Sequence, residues 1–358
     1  MKGHRRLPGV DLARALAIFG MVAVNFDQIL SVPQSTGLSA TLLALPAGRA
    51  SALFVVLAGI GLSLLARRDV GRGRRVAFRR GLFFLVLGYL FWVVWPGDIL
   101  HYYGWYFIVG GMALSWGNRV LALGVAVVTL TALALLMVFD YGAGWDFTRL
   151  EYEGLLTWTG QTRNLLFNGF HPLFPWLAFL FYGMWLGRRL VADPARVERM
   201  IWPALIVAVA TEWASHSIIS NLGGLEKNEA AYLFVTDSMP PSLFYVLAAG
   251  ALATFTLALC LRVANRWEST WVVRALSHTG QLAFSLYVLH VLVGAYPLIA
   301  IQPTRSMAPA FVLGWCGGFC LLSIVGSHFW RLRFSQGPAE TVLRRFAHSA
   351  PQSVVTKT

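Results

Sequence analysis

Apolar runs of about twenty residues recur along nearly the whole sequence, and each is long enough to cross a hydrocarbon core about 30 Å thick. Only 13% of the 358 residues are charged, against about 25% in a typical soluble domain. Backbone groups in lipid must be satisfied within the chain, so such runs form helices. We therefore expect an all-α, polytopic integral membrane protein. The runs predict ten transmembrane helices, at 9–28, 48–66, 79–96, 99–115, 120–139, 173–190, 200–219, 241–262, 276–299 and 307–329.

The basic residues are distributed in a way that predicts how the chain sits in the bilayer. The net charge is +13, and most of the 29 lysines and arginines fall in alternate connections between the predicted spans. Such a bias places those connections in the cytoplasm. We therefore expect cytoplasmic termini, the lipid bilayer as a partner and no nucleic-acid partner. The sequence predicts one membrane domain over 1–335 and a disordered cytoplasmic tail at 336–358.

The first predicted span carries polar residues that a simple membrane anchor does not need. A charged side chain in a membrane helix costs about 2.5–3.5 kcal/mol on insertion scales, so such residues usually face protein or a wet cavity. Arg14 and Asn25 point within roughly 20° of each other around the helix, and Asp11 lies on the same side. This polar stripe either joins helices by buried hydrogen bonds or lines a functional passage.

Several stretches of the chain resemble, in the same order, those of the heparan-α-glucosaminide N-acetyltransferase-like membrane proteins and their YeiB-like bacterial relatives. They are RLPGVDLARALAIFGMVAVNF (6–26), GRASALFVVLAGIGLSLLAR (48–67), GDILHYYGWYFIVG (97–110), HPLFPWLAFLFYGMWLGR (171–188) and GQLAFSLYVLHVLV (280–293). The resemblance implies an acyltransferase of the bacterial cytoplasmic (inner) membrane. It would move an acyl group, with acetyl expected first, from cytoplasmic acyl-CoA to an extracytoplasmic sugar, glycolipid or similar acceptor.

The resemblance also implies roles for the polar stripe of the first helix. Arg14, with Asp11, would bind the phosphate or pantetheine of acetyl-CoA or another acyl-CoA, because the guanidinium fork suits phosphate. Asn25 would polarise the thioester carbonyl, since amide N–H groups can stabilise a developing oxyanion. The lumenal N-acetyltransferase has a catalytic histidine eleven residues beyond the matched asparagine, where this chain has Thr36. A different group must then serve as the base.

Acyl transfer needs a group that accepts a proton near neutral pH, and histidine is the usual one. His101 follows a predicted outer turn, with Asp98 three residues earlier, so the pair could form an oriented base. The alternative is an Asp98 helix cap beside interfacial residues. Contacts to the acceptor are predicted at Arg49, Tyr102, His171, Trp176 and His290.

Other functions are compatible with the same polar residues. Glu212 and His216 share a helical face but have no evident third ligand, so no metal is expected. Polar groups at membrane depth also mark transport pathways, which makes an exporter or transporter of a small solute the main alternative. The missing first-loop histidine keeps a third possibility open, namely a non-catalytic membrane scaffold.

Overall fold

A computed structural model describes residues 7–32, 35–95, 97–147, 151–301 and 307–348, which are nearly all α-helical. The helices are α1 Pro8–Leu30, α2 Leu38–Ala44, α3 Arg49–Ala66, α4 Val70–Trp92, α5 Leu100–Met112, α6 Asn118–Val138, α7 Trp158–Arg163, α8 Leu173–Ala192, α9 Pro194–Glu198, α10 Ile201–Asn221, α11 Leu243–Trp267, α12 Trp271–Gln281, α13 Ala283–Leu289, α14 Tyr296–Ile301, α15 Pro309–Arg333 and α16 Pro338–His348. The shorter elements are the 3₁₀ turns Ala113–Ser115 and Glu229–Phe234, the π-helical turns Asn164–Asn168 and His290–Ala295, and the antiparallel pair β1 Trp145–Asp146 and β2 Glu151–Tyr152.

The chain is a multi-pass membrane protein by the length and apolar character of its helices. Six segments of the described chain qualify as spans, and the bent pair Trp158–Asn168 and Leu173–Ala192, which meet at 46°, could form a seventh. The six are Pro8–Leu30, Leu38–Ala66, Asn118–Val138, Leu243–Trp267, Ala283–Ile301 and Pro309–Arg333. The predicted count of ten and the cytoplasmic termini stay predictions.

Three of the predicted spans, those of α4, α5 and α10, form helices that do not qualify, and α4 and α5 fail for different physical reasons. Helix α4 begins with an arginine-rich stretch, so its apolar part covers only its second half. Helix α5 has 13 residues and is therefore about 20 Å long, which is short of a hydrocarbon core about 30 Å thick. The two helices pack closely against each other, because Gly88 of α4 lies against the backbone of His101.

The centre of the bundle is formed by α3 and α8, whose backbones approach closely at two glycines. A Cβ atom on Gly59 would clash with the carbonyl of Leu180, and one on Gly183 would clash with the carbonyl of Val56. Small residues at such a crossing allow helices to pack without bulky side chains between them. This contact holds α3 and α8 together beside the first helix.

The C-terminal segment differs from the sequence prediction of a disordered tail. Residues 338–348 form α16, which packs on α4 and α13. The Glu340 carboxylate accepts hydrogen bonds from the backbone N–H groups of Phe284 and Ser285, at 2.9 and 3.0 Å, and from the Ser285 hydroxyl. These hydrogen bonds hold residues 338–348 on the bundle, which the amino-acid composition alone does not predict. The rest of the predicted tail, 349–358, lies outside the described residues.

Candidate functional site

A cavity of about 950 Å³ lies between α1, α3, α4, α5 and α13. Arginines line it near the start of α4, and apolar side chains of α3 and α5 line its middle. Ile99, Leu100 and Tyr287 line it at the far end, where α4 meets α5. Arg68 lies just before α4, and Leu100 lies against Gly88 of the same helix, which is about 27 Å along the helix axis from Val70. The cavity thus connects a basic end with a tyrosine-containing end.

The basic end contains the pair predicted from the first helix. Arg14 Nη1 donates to Asp11 Oδ1 at 2.6 Å, and Gln281 Nε2 donates to Asp11 Oδ2 at 3.0 Å. All three side chains line the cavity, together with Arg67 and Arg68. Asp11 is thus held from both sides, and the Arg14 side chain is still about one-third exposed. The arginines at this end could bind an anionic group that enters the cavity.

Asp98 is fully buried next to Ile99, which lines the far end of the cavity, and its carboxylate accepts three hydrogen bonds. Its Oδ1 accepts from the Tyr287 hydroxyl at 2.8 Å, and its Oδ2 accepts from the N–H groups of Leu100 and His101, at 2.8 and 3.3 Å. His101 Nδ1 lies 3.6 Å from Asp98 Oδ2 and has no hydrogen-bond partner among the described residues. The carboxylate therefore binds the first N–H groups of α5, as the predicted helix cap would do. It also lies close to His101 Nδ1, which has no hydrogen-bond partner among the described residues.

Asn25 contacts His290 rather than His101. Its Nδ2 lies 2.8 Å from His290 Nε2, and His290 Nδ1 lies next to the carbonyl of Tyr287. With the proton on Nδ1, the imidazole donates to that carbonyl and accepts from the amide of Asn25. Residue His290 is fully buried and opens a π-helical turn, a feature that is frequent at functional sites. Asn25 and Asp98 thus bind neighbouring parts of one segment, because Tyr287 of α13 bonds to Asp98 and His290 of the following π-helical turn contacts Asn25.

Three of the residues predicted to contact the acyl acceptor, Tyr102, His171 and Trp176, form one continuous row of rings with His101. The ring centroids of His101 and Tyr102 are 3.9 Å apart, those of Tyr102 and His171 are 6.0 Å apart, and those of His171 and Trp176 are 4.6 Å apart. Tyr102 donates to Asn164 Oδ1 at 2.5 Å. His171 Nδ1 and Trp176 Nε1 are buried and have no partner among the residues described. The row connects His101 to the loop that precedes α8.

Arg49 lies at the opposite end of this row and is already paired. Its Nη2 donates to Glu212 Oε1 at 2.5 Å, and its guanidinium carbon stands 5.9 Å from the ring centre of Tyr245, whose ring is 5.8 Å from that of Trp176. Glu212 Oε2 accepts from the Thr236 hydroxyl at 2.6 Å, so both of its oxygens are engaged. In the part of the chain that the structure describes, no group of three potential metal ligands occurs.

Sequence reasoning missed three residues that line the cavity, namely Tyr287, Tyr103 and Arg80. Tyr287 could have been found, because it lies three residues before His290 in an apolar span and so shares its helical face. The basic run 71–80, which ends at Arg80, is interpreted from the sequence as a topological signal by default, with contact to CoA phosphates or anionic lipid headgroups as the alternative. Thr36, at the position of the missing histidine, is exposed and precedes α2.

Two family models match the chain. Residues 6–220 match the family described as heparan-alpha-glucosaminide N-acetyltransferase, catalytic, and residues 188–350 match a protein family of unknown function, DUF418. No curated protein matched the chain. The two family matches confirm the resemblance that the sequence motifs indicated, and they imply a membrane acyltransferase-like function. Because the first match covers more than half of its length, the chain belongs to the heparan-α-glucosaminide N-acetyltransferase-like family of membrane proteins.

Proposed function

We propose that the protein is an acyltransferase that moves an acyl group, with acetyl expected first, from cytoplasmic acyl-CoA to an extracytoplasmic sugar or glycolipid. The observation that carries the proposal is the cavity, which joins the arginines near the start of α4 to the buried Asp98–Tyr287 pair. A donor with phosphates at one end and a thioester at the other suits a cavity that is basic at one end and apolar along its middle.

In the proposed reaction, the donor lies along the cavity with its phosphates near Arg14. Met21 lines the cavity one turn before Asn25 on α1, so the asparagine, which is not itself a lining residue, would lie beyond Met21 toward the far end. The second N–H of the Asn25 amide, the one not directed at His290, would stabilise negative charge on the thioester oxygen. Preorganised donors of this kind lower the barrier because they need no rearrangement as the charge develops.

His101 is the better candidate for the base. Both nitrogens of His290 are engaged, whereas His101 Nδ1 has no partner among the described residues. The acceptor oxygen or nitrogen would attack the carbonyl carbon of the thioester while His101 takes its proton. The C–S bond then breaks, and the thiolate of CoA receives that proton. The row of rings from Tyr102 to Trp176 would border the acceptor.

The test uses the full chain in nanodiscs, with radiolabelled acetyl-CoA and a pool of cell-envelope glycans. We expect label transfer by the wild type and a loss of about 100-fold or more in Asn25→Ala, as is typical when an oxyanion donor is removed. Asn221→Ala, at the exposed end of α10, is the matched control. Transfer by Asn25→Ala at the wild-type rate would contradict the assignment of Asn25.

The same assay separates the enzyme from its alternatives. A transporter would move a solute along the cavity without releasing CoA. A scaffold would neither move a solute nor release CoA. If the wild type neither binds nor consumes acetyl-CoA or longer acyl-CoA, the acyltransferase proposal is wrong.

A further inference from the structure

Arg80 is a cavity-lining arginine that lies about 15 Å into α4, well inside the bundle. Its Nε is fully buried and has no hydrogen-bond partner among the described residues. Burying a cationic group without a counter-charge is costly, so such groups are normally paired. The Arg80 Nε therefore points to an anion that the described residues do not supply.

The charges around Arg80 do not provide that anion. Arg14 and Arg344 are close enough to act on it electrostatically, and both add positive charge. The two carboxylates of the cavity are committed elsewhere: Asp11 is bound by Arg14, and Glu340 is bound by Ser285. Positive charge thus accumulates around this part of the cavity.

The same positive charges affect the protonation of His348, at the end of α16. Burial lowers its pKa, and the nearby arginines, Arg80 and Arg344 among them, lower it further. Each positive neighbour disfavours the protonated imidazole. A phosphate bound at Arg80 would offset part of this charge.

Tyr103 provides a second unengaged group in the same cavity. Its hydroxyl is buried and has no partner within the described chain. A Cβ on Gly81 of α4 would lie 2.8 Å from the carbonyl of Gly104 of α5, so the two helices touch at these glycines. Arg80 and Tyr103 are the neighbours of these two glycines in the sequence and both line the cavity, so both side chains start within about one residue of this helix contact.

We propose that Arg80 and Tyr103 together form a ligand-binding position that holds a phosphate or diphosphate at the guanidinium and a carbonyl oxygen of the same molecule at the phenol. The assignment to acyl-CoA rests on the proposed function, because the diphosphate of CoA is followed by the amide carbonyls of its pantetheine arm. An anionic phospholipid also carries a phosphate near carbonyl oxygens. The binding experiment must therefore distinguish the nucleotide from the lipid.

The experiment measures binding of CoA to the full chain in nanodiscs made of a zwitterionic lipid. We expect Arg80→Gln to weaken binding by about ten- to a hundredfold, the worth of a hydrogen bond to a charged group, and Tyr103→Phe by about two- to tenfold. Arg75→Gln is the control on the same helix, since Arg75 is exposed and does not line the cavity. Tyr89→Phe controls for the loss of a hydroxyl, because the Tyr89 hydroxyl bonds to Gln161 outside the cavity.

The Tyr103→Phe variant also separates binding from folding. It removes an oxygen atom that has no partner, so thermal stability without ligand should be unchanged or higher, while affinity falls. A purely structural role would instead lower stability and leave the affinity of the folded protein unchanged. If Arg80→Gln does not fold, this variant carries the test alone.

A second arm titrates phosphatidylglycerol into the nanodiscs and follows lipid binding by native mass spectrometry. If CoA binds in a manner that depends on Arg80 and Tyr103, the nucleotide is the ligand. If only phosphatidylglycerol binds in that manner, the position holds a lipid headgroup, and the donor assignment of the proposed function is wrong. If neither probe binds, or if both bind the variants as they bind the wild type, the ligand-binding position is overturned.

Discussion

Asp98 is a buried carboxylate that is stabilised by hydrogen bonds rather than by a cation. It accepts from one hydroxyl and two backbone N–H groups, and its side chain has no exposed surface. Of these three donors, only the Tyr287 hydroxyl comes from another part of the chain, 189 residues away. The same hydroxyl accepts from the N–H of Ile99 at 3.2 Å. Tyr287 therefore holds α13 against the start of α5.

Tyr287→Phe should remove this link and leave Asp98 with one unsatisfied oxygen. We expect a loss of about 1–3 kcal/mol in the free energy of unfolding, the usual cost of an unpaired buried acceptor. Transfer activity should fall as well, because Asp98 stands beside His101. Thermal unfolding and label transfer are compared with Tyr182→Phe, whose hydroxyl bonds to Thr254 away from the cavity. Equal activity of the two variants would contradict a role for Tyr287.

At the scale of elements, α16 is a short helix that is held mainly through one carboxylate. Glu340 bonds to the first residues of α13, and the Ser285 hydroxyl in turn accepts from the N–H of Ala339 at 3.1 Å. Phe346 adds a ring contact with Phe83 of α4 at 5.6 Å. Helix α13 carries Tyr287, and His290 follows directly in the π-helical turn, so the docking of α16 supports the start of the segment that contacts Asp98 and Asn25.

Glu340→Ala should release α16 from the bundle. Hydrogen exchange of residues 338–348 is expected to become about ten- to a hundredfold faster, because hydrogen bonds to a charged carboxylate contribute about 1.5–3 kcal/mol. Glu268→Ala, at an exposed position after α11, should leave that exchange unchanged. Slow exchange in the Glu340 variant would mean that apolar contacts alone hold the helix.

At the scale of the whole molecule, the number of membrane crossings depends on α4, α5 and α10. None of the three is among the helices that qualify by length and composition. In the ten-span prediction all three helices cross the bilayer. The two ends of α4 then lie on opposite sides of the membrane, and so do the two ends of α10. Both crossings can be tested at exposed positions near the two ends of each helix.

Single cysteines in a background without Cys260, Cys316 and Cys320 provide this test. For α4, we expect Asp69→Cys to react with a membrane-impermeant maleimide only from the cytoplasmic side and Val93→Cys only from the outer side. For α10, the corresponding sites are Asp193 on the cytoplasmic side and Lys227 on the outer side. If both ends of either helix react from the same side, that helix does not cross, and the ten-span prediction is wrong.

The sequence by itself determined the class of the protein, the approximate positions of its helices and the residues of its polar face. These are local properties, since apolar length sets a span and the helical repeat sets which side chains share a face. The Asp11–Arg14 pair and the capping bonds of Asp98 join residues within one turn, so they could be predicted from spacing alone.

Only the tertiary structure decided which polar faces meet. Asn25 pairs with His290, 265 residues away, rather than with His101, and Arg49 pairs with Glu212, 163 residues away. Spacing along the chain gives the direction of a side chain on its own helix, but the neighbour it meets depends on how distant helices pack. That packing is set by contacts such as those of Gly59 and Gly183, which no local pattern relates to the polar residues.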